Sequence, residues 1–244
     1  MDEEDFKKFK IKIRYKNNVP VYPKNPYIEY EKVITRDNEH LFTEIFYDNV
    51  IIGKGIILDF YKYFEIKKSD WGNLYTFPLN RTQLGEKIYK IKFYKEPPIP
   101  YSLKEQYIES FLELFQNIFD KLNRKIILNK QTLCISYIPS SSGIPNILAS
   151  KLSTKFDLEL KELISKDDSL VSSKNIDDYI ESMKHSQKKY KFDTNFIEKN
   201  KDSIYLIIDD VFGLGSSIIT AMKHFYDITK KINFFFCIVK DTKR

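Results

Sequence analysis

The chain has 244 residues, 42% of them hydrophobic and 30% charged, which is enough apolar material for the core of one large domain or two small ones. Its net charge of +6 arises from Lys and Glu mixed along the chain, a solvated surface that suits phosphorylated ligands or nucleic acid without selecting either. No apolar run is long enough to span a bilayer, the acidic start Met1-Asp2-Glu3-Glu4-Asp5 does not read as a signal peptide, and Cys134 and Cys237 each lie inside an apolar run as buried thiols, so a reducing, cytoplasmic setting is expected.

Residues 1–83 read as a small β-rich module with an antiparallel sheet. Phe9, Ile11, Ile13 and Tyr15 alternate with Lys10, Lys12 and Arg14, the period of a half-buried strand. A Pro- and Asn-rich loop over 19–26 follows, then strands over 27–34, 41–47, 50–64 and 73–77. Gly53-Lys54-Gly55 is not followed by the Lys-Ser/Thr of a phosphate loop and is read as a break or bulge in its strand. The run Pro97-Pro98-Ile99-Pro100 is a stiff interruption. Beyond it, Ser102 and Glu105 form a candidate capping box, and Leu103, Tyr107, Ile108, Phe111, Leu114, Phe115, Ile118 and Leu122 recur at helical spacing as a core stripe.

From residue 132 the order becomes strand and helix in alternation. A strand over 132–138 leads through the tight loop 139–143 into a helix over 144–156. A short strand over 158–164 and a helix over 176–188 follow, the latter within a polar, Lys-rich stretch. Then come a strand over 203–208, a loop over 209–217, a helix over 218–230 and a strand over 232–239. Strands that are apolar throughout, with helices between them, imply a parallel sheet covered on both faces, hence an α/β fold for residues 84–244.

The chemistry concentrates in Leu206-Ile207-Ile208-Asp209-Asp210-Val211-Phe212-Gly213-Leu214-Gly215-Ser216-Ser217. A buried strand ends in two carboxylates, a turn with two glycines follows, and two hydroxyls open a helix. Ligands of open α/β sheets bind at the carboxyl ends of strands. Glycines let backbone N–H groups approach an anion, and a helix N-terminus favours negative charge. Acids beside an anion site suit a ligand carrying both hydroxyls and phosphate, such as a sugar phosphate. Three other local readings compete. A dinucleotide fingerprint lacks its third glycine here, and a Walker loop lacks its spacing and Lys. An ordinary capped strand–turn–helix would use the two Asp as turn residues.

This segment resembles the phosphoribosyl-diphosphate signature of the type I phosphoribosyltransferases: an apolar strand, two acids, an apolar pair, a Gly-rich turn and a closing Ser. A second segment, Pro139-Ser140-Ser141-Ser142-Gly143, follows a strand and opens a helix as that family's diphosphate loop does. A third, Leu84-Gly85-Glu86-Lys87 to Lys90, Lys92 and Tyr94, is similar to the Lys-Tyr segment of the competence-protein F-like branch. The resemblance covers roughly residues 84–244 and implies a phosphoribosyltransferase-like parallel sheet flanked by helices. It further implies that Asp209 and Asp210 bind the ribose hydroxyls directly or through Mg²⁺. Val211 and Gly213, Leu214, Gly215, Ser216 and Ser217 would hold the 5′-phosphate, and Pro139 to Gly143 the diphosphate. The implied reaction is displacement of diphosphate from C1 by a nitrogen base, and the implied assembly a homodimer.

Two departures bear on catalysis. Gly213 and Leu214 stand where family members carry an acid or Thr followed by Thr, and Ser140 to Ser142 lack a basic residue. The alternative function is therefore a non-catalytic module that senses such a ligand, with a nucleic-acid or protein partner, in a DNA-uptake, repair or phage-defence system. A lyase or hydrolase acting on nucleosides ranks third. Lys184 to Lys189 reads as a Lys-rich loop that could bring cations to a diphosphate. His40, His185 and His224 are not spaced as metal ligands, and His224 is expected on a surface or at a helix cap.

Overall fold

The computed structural model describes residues 1–15, 26–32, 40–68, 74–93, 99–128, 132–167, 169–170, 176 and 178–241. The loop expected over 19–25 and the break at Pro97-Pro98 lie outside the described residues.

A short helix, α1 (Glu3–Lys7), is closed by a capping box between Asp2 and Asp5 and buries Phe6. The strands β1 (Phe9–Tyr15), β2 (Ile28–Lys32), β3 (Leu41–Tyr47) and β4 (Val50–Phe60) follow. In β1 the expected alternation holds, with Phe9, Ile11 and Ile13 fully buried. β5 (Lys62–Lys68) and β6 (Leu74–Arg81) form a separate antiparallel pair, after which come α2 (Gln83–Phe93) and α3 (Tyr101–Leu128). The second half contains β7 (Leu133–Tyr137), α4 (Ile144–Phe156), β8 (Glu159–Leu160), β9 (Ile164–Lys166), α5 (Tyr179–Lys189), β10 (Tyr190–Phe192), α6 (Thr194–Lys199), β11 (Ile204–Phe212), α7 (Ser216–Thr229) and β12 (Asn233–Lys240).

Eight strands join in one sheet in the order β2-β1-β3-β4-β12-β11-β7-β8. All neighbouring pairs are parallel except those that β3 makes with β1 and β4. The fold is thus α/β, with a mostly parallel central sheet flanked by helices. The sheet runs across residue 83: β4, from the first part of the chain, pairs with β12 at the very end. The antiparallel sheet expected for residues 1–83 is not a closed unit, because β4 has a second edge and β12 needs a partner for its buried backbone groups.

β4 runs on through Gly53 and Gly55, and the expected bulge falls beside them: its register with β3 shifts between the Ile45–Gly53 and Phe46–Ile51 pairs, which leaves Ile52 as the extra residue. A Cβ at Gly55 would stand 2.4 Å from the Phe235 ring, and one at Gly53 2.7 Å from Met222, so both glycines also let β12 and α7 pack closely on the strand. α3 starts at Tyr101, two residues earlier than a cap at Ser102 would place it. Its first turn is closed by Lys104 N–H donating to the Pro100 carbonyl, which leaves Ser102 inside the helix rather than at its cap. The stretch 158–164 divides between two sheets, with β8 pairing to β7 and β9 to β10.

Each sheet face carries its own core. On one, Ile218, Ile219, Ala221, Met222 and Phe225 of α7 and Tyr179 and Met183 of α5 pack with Tyr205 and Ile207 of β11. On the other, Phe111, Phe115 and Phe119 of α3 and Ile144, Leu148 and Leu152 of α4 pack with Leu206 and Ile208. The α3 stripe is therefore core, as its spacing predicts. Fully burying each such side chain contributes about 1.5–3 kcal/mol. Cys134 and Cys237 are free and buried in β7 and β12, and burial pushes the Cys134 thiol up to about 12, which keeps it protonated and inert.

Candidate functional site

β7 and β11 are neighbours, yet their connections diverge. The chain leaves β7 through α4 to reach β8 on one side. It leaves β11 through α7 to reach β12 on the other, and α4 and α7 cover opposite faces. The crevice between the two strand ends is the topological switch point where open α/β sheets take ligands. A cleft of about 450 Å³ opens there.

β11 is longer than its apolar run. It continues through Asp209, Asp210, Val211 and Phe212, so the expected loop over 209–217 shrinks to Gly213, Leu214 and Gly215. Both aspartates are therefore strand residues, and successive strand side chains face opposite ways. Tyr205 and Ile207 belong to one core, Leu206 and Ile208 to the other, and the alternation carries the two acids to different faces.

Asp210 faces the α2–α4 side and is fully engaged. Lys92 Nζ donates to its Oδ1 at 2.7 Å, and Ser140 and Ser142 hydroxyls donate to its Oδ2 at 3.0 and 2.7 Å. Burial would raise this carboxyl, but the Lys92 charge and the hydrogen bonds from Lys92, Ser142 and Ser140 outweigh it and hold the group below the usual carboxylate range. Asp209 accepts only the Asp210 backbone N–H, at 2.8 Å, among the hydrogen bonds of the described residues. Burial, reinforced by the Asp210 charge, pushes its carboxyl well above the usual range. Burial thus biases Asp209 toward its neutral form, while Lys92 and the serines favour the anion at Asp210.

The turn after β11 is set by Gly215, with φ +85°. A Cβ there would lie 2.7 Å from the Phe212 ring, so glycine is required for both conformation and space. Gly215 is the N-cap of α7 and its carbonyl accepts the Ile219 N–H at 2.8 Å. The amides of Ser216, Ser217 and Ile218 thus form the first turn, whose N–H groups have no partner within the helix. The two hydroxyls turn away from capping: Ser216 Oγ meets Ser182 Oγ at 2.8 Å and Ser217 Oγ meets the Tyr190 hydroxyl at 3.1 Å. Beneath the turn Lys240, fully buried, donates from Nζ to the carbonyls of Gly213, at 2.8 Å, and Asp241. Burial pushes its ammonium down to about 7.

Of the residues singled out in the sequence, Asp209, Asp210, Val211, Gly213, Leu214, Gly215, Ser216, Ser217, Pro139, Ser140 and Ser141 all line the cleft. Ser142 and Gly143 do not. Ser142 turns to Asp210 and to the Ile144 N–H, and Gly143 caps α4 in a left-handed conformation. Lys184 to Lys189 belongs to α5, the helix expected over 176–188, rather than to a loop: Lys184 pairs with Glu3 at 3.1 Å, and Lys189 alone of this run's lysines lines the cleft. His224 is half-buried at the surface of α7 and is stacked on Phe192 with centroids 4.2 Å apart. Lys92, Lys166, Tyr190 and Lys240 carried no distinguishing local signal. Lys92 lay within the Leu84 to Tyr94 segment but reaches the site only through a contact 118 residues distant in sequence.

No protein-family model matches the chain, and no curated protein matches it.

Proposed function

We propose that the cleft binds a ribose 5′-phosphate ligand, phosphoribosyl diphosphate first among the candidates. The observation that carries this reading is the convergence, at one switch point, of a Gly-turned helix N-terminus with a strand-end acid pair. The first turn of α7 offers backbone amides to a phosphate, the Gly213–Gly215 turn lets the anion come close, and Ser216 and Ser217 add hydroxyls. Asp209, at the cleft wall with one oxygen bonded to the backbone, suits a ribose hydroxyl. Ser140 and Ser141 on the opposite wall are placed for a second phosphate. Positioning of this kind would favour displacement of diphosphate from C1 by a nitrogen base.

A second reading, binding without turnover, is favoured by Asp210. Its carboxylate is already satisfied by three donors and holds the 139–143 loop to the sheet, which is a structural task. Calorimetric titration with ribose 5-phosphate and with phosphoribosyl diphosphate tests the binding. Saturable heat that a Gly215→Val variant abolishes is the expected result; no heat with either ligand would refute it. Release of diphosphate on adding purine or pyrimidine bases would then select the transferase over the sensor.

Mg²⁺, implied by the family resemblance, fits the donor set poorly. A divalent ion takes oxygen ligands in a near-ideal octahedron, whereas both Asp210 oxygens are occupied and one of them by an ammonium.

A further inference from the structure

We propose that the Lys92 ammonium is the resident cation of the acid pair, so that the cleft takes its ribose phosphate without a divalent metal. This rests on the reading of the cleft given above and concerns what neutralises its acids.

Lys92 comes from α2, outside the sheet, and its side chain is only 12% exposed while that of Asp210 is 3% exposed. A flexible cation does not give up its hydration for a surface pairing worth little, so a buried pair of this kind is built by the packing around it. The packing is specific. Ile88 of α2 is fully buried against the core on that face, fixing the helix from which Lys92 reaches the cleft. The ammonium sits on Asp210 Oδ1 and the two serines on Oδ2, so three of the carboxylate's roughly four acceptor sites are taken and a dication would have to share Oδ1 with a charge of its own sign. Lys92 also lines the cleft, where it can attract the phosphate that a metal would otherwise bridge.

Two measurements test this, one of them independent of any organic ligand. In the first, Tm is followed as Mg²⁺ is added, since a bound ion raises it by mass action. Wild type should not respond. Lys92→Gln, which bares an Asp210 oxygen, should gain a Mg²⁺-dependent rise. A rise in wild type, or none in the variant, would overturn the assignment whether or not the cleft binds ribose phosphates. In the second, ribose 5-phosphate is titrated with EDTA and then with Mg²⁺; it chelates the metal only weakly, so the ion acts through the protein. Wild-type Kd should agree within about threefold between the two conditions, a difference under ~1 kcal/mol. Lys92→Gln should bind about tenfold more weakly in EDTA, as expected for losing a charge-assisted contact, and Lys92→Arg should stay near wild type. Wild-type binding that requires Mg²⁺ would overturn the inference and leave the ligand reading intact. An absence of binding in both conditions, with the thermal result as expected, would instead remove the ligand and keep Lys92 as the site's cation.

Discussion

The two walls of the cleft are built from the same plan, a strand, a short turn and a helix, but they are held in opposite ways. The 139–143 turn is fastened to the sheet by charge: Ser140 and Ser142 donate to the Asp210 anion, which Lys92 neutralises. The 213–215 turn is held by contacts of weaker charge. The serines that follow it in α7 meet Ser182 and Tyr190, and a buried lysine, whose ammonium burial pushes down to about 7, takes up the Gly213 carbonyl. A hydrogen bond to a charged partner is worth roughly twice a neutral one. The first wall is therefore expected to be the more strongly held, and the second owes its place to α5 and to β10, a strand of the small β9–β10 sheet rather than of the main one.

The largest expected effect comes from cutting the charged wall at its centre. Asp210→Ala leaves the Lys92 ammonium buried without a partner, and denaturant titration should show a loss of about 3–5 kcal/mol. A loss below about 1 kcal/mol would mean that Lys92 simply swings to water.

Lys240 gives the next effect, and it has a sign. Between pH 7 and 10.5 the unfolded chain holds this proton more tightly than the folded one, because burial lowers the folded value to about 7 while Asp241 and Cys237 only partly oppose it. Unfolding free energy should therefore climb as pH rises through that window, by about 3 kcal/mol, and Lys240→Met should flatten the profile. Wild type and variant running parallel would place the Lys240 proton elsewhere. A neutral amine still carries two N–H groups for the carbonyls of Gly213 and Asp241, so the 213–215 turn should stay in place at alkaline pH.

Matched serine deletions sharpen the contrast. Ser142→Ala removes a donor to a charged carboxylate and should cost about 2 kcal/mol, while Ser216→Ala removes a neutral hydroxyl pair and should cost about 1 kcal/mol. Equal costs would erase the distinction between the walls.

Asp209→Asn should have the smallest effect at neutral pH, within about 1 kcal/mol of wild type, since burial already biases the group it replaces toward its neutral form. Its pH profile is the sharper readout. A carboxyl whose folded pKa is raised contributes stability that is lost as pH climbs from the ordinary carboxylate range through the folded value. Wild type should decline over that interval relative to Asp209→Asn; a flat difference would mean that Asp209 ionises normally.

Much of the second half of the chain could be read from local order. The helix over 144–156 begins and ends where expected, because a turn glycine precedes it and an apolar stripe fills one face. The α3 stripe and the strands flanking α7 follow from spacing alone, since backbone geometry fixes the period at which side chains repeat on a face. The cleft-lining character of the 209–217 and 139–141 segments followed from their position after apolar strands. Expectation failed where a distant partner decides. The bulge expected at the two glycines of β4 forms beside Gly53, but the close approach of Phe235 and Met222 that leaves no room for a Cβ there has no local signal.

By itself, then, the sequence determined most of the elements of the second half and their order, and the placing of acids, glycines and hydroxyls at strand ends, all of which depend on neighbours a few residues away; the helices α1, α2 and α6 were not read from it. Only the tertiary structure decided that residues 1–60 supply strands to the same sheet as residues 133–240, and that two adjacent aspartates face different surroundings. It alone brought Lys92 to the acid pair. Strand pairing and charge burial join residues a hundred or more positions apart, and no local period encodes which of them will meet.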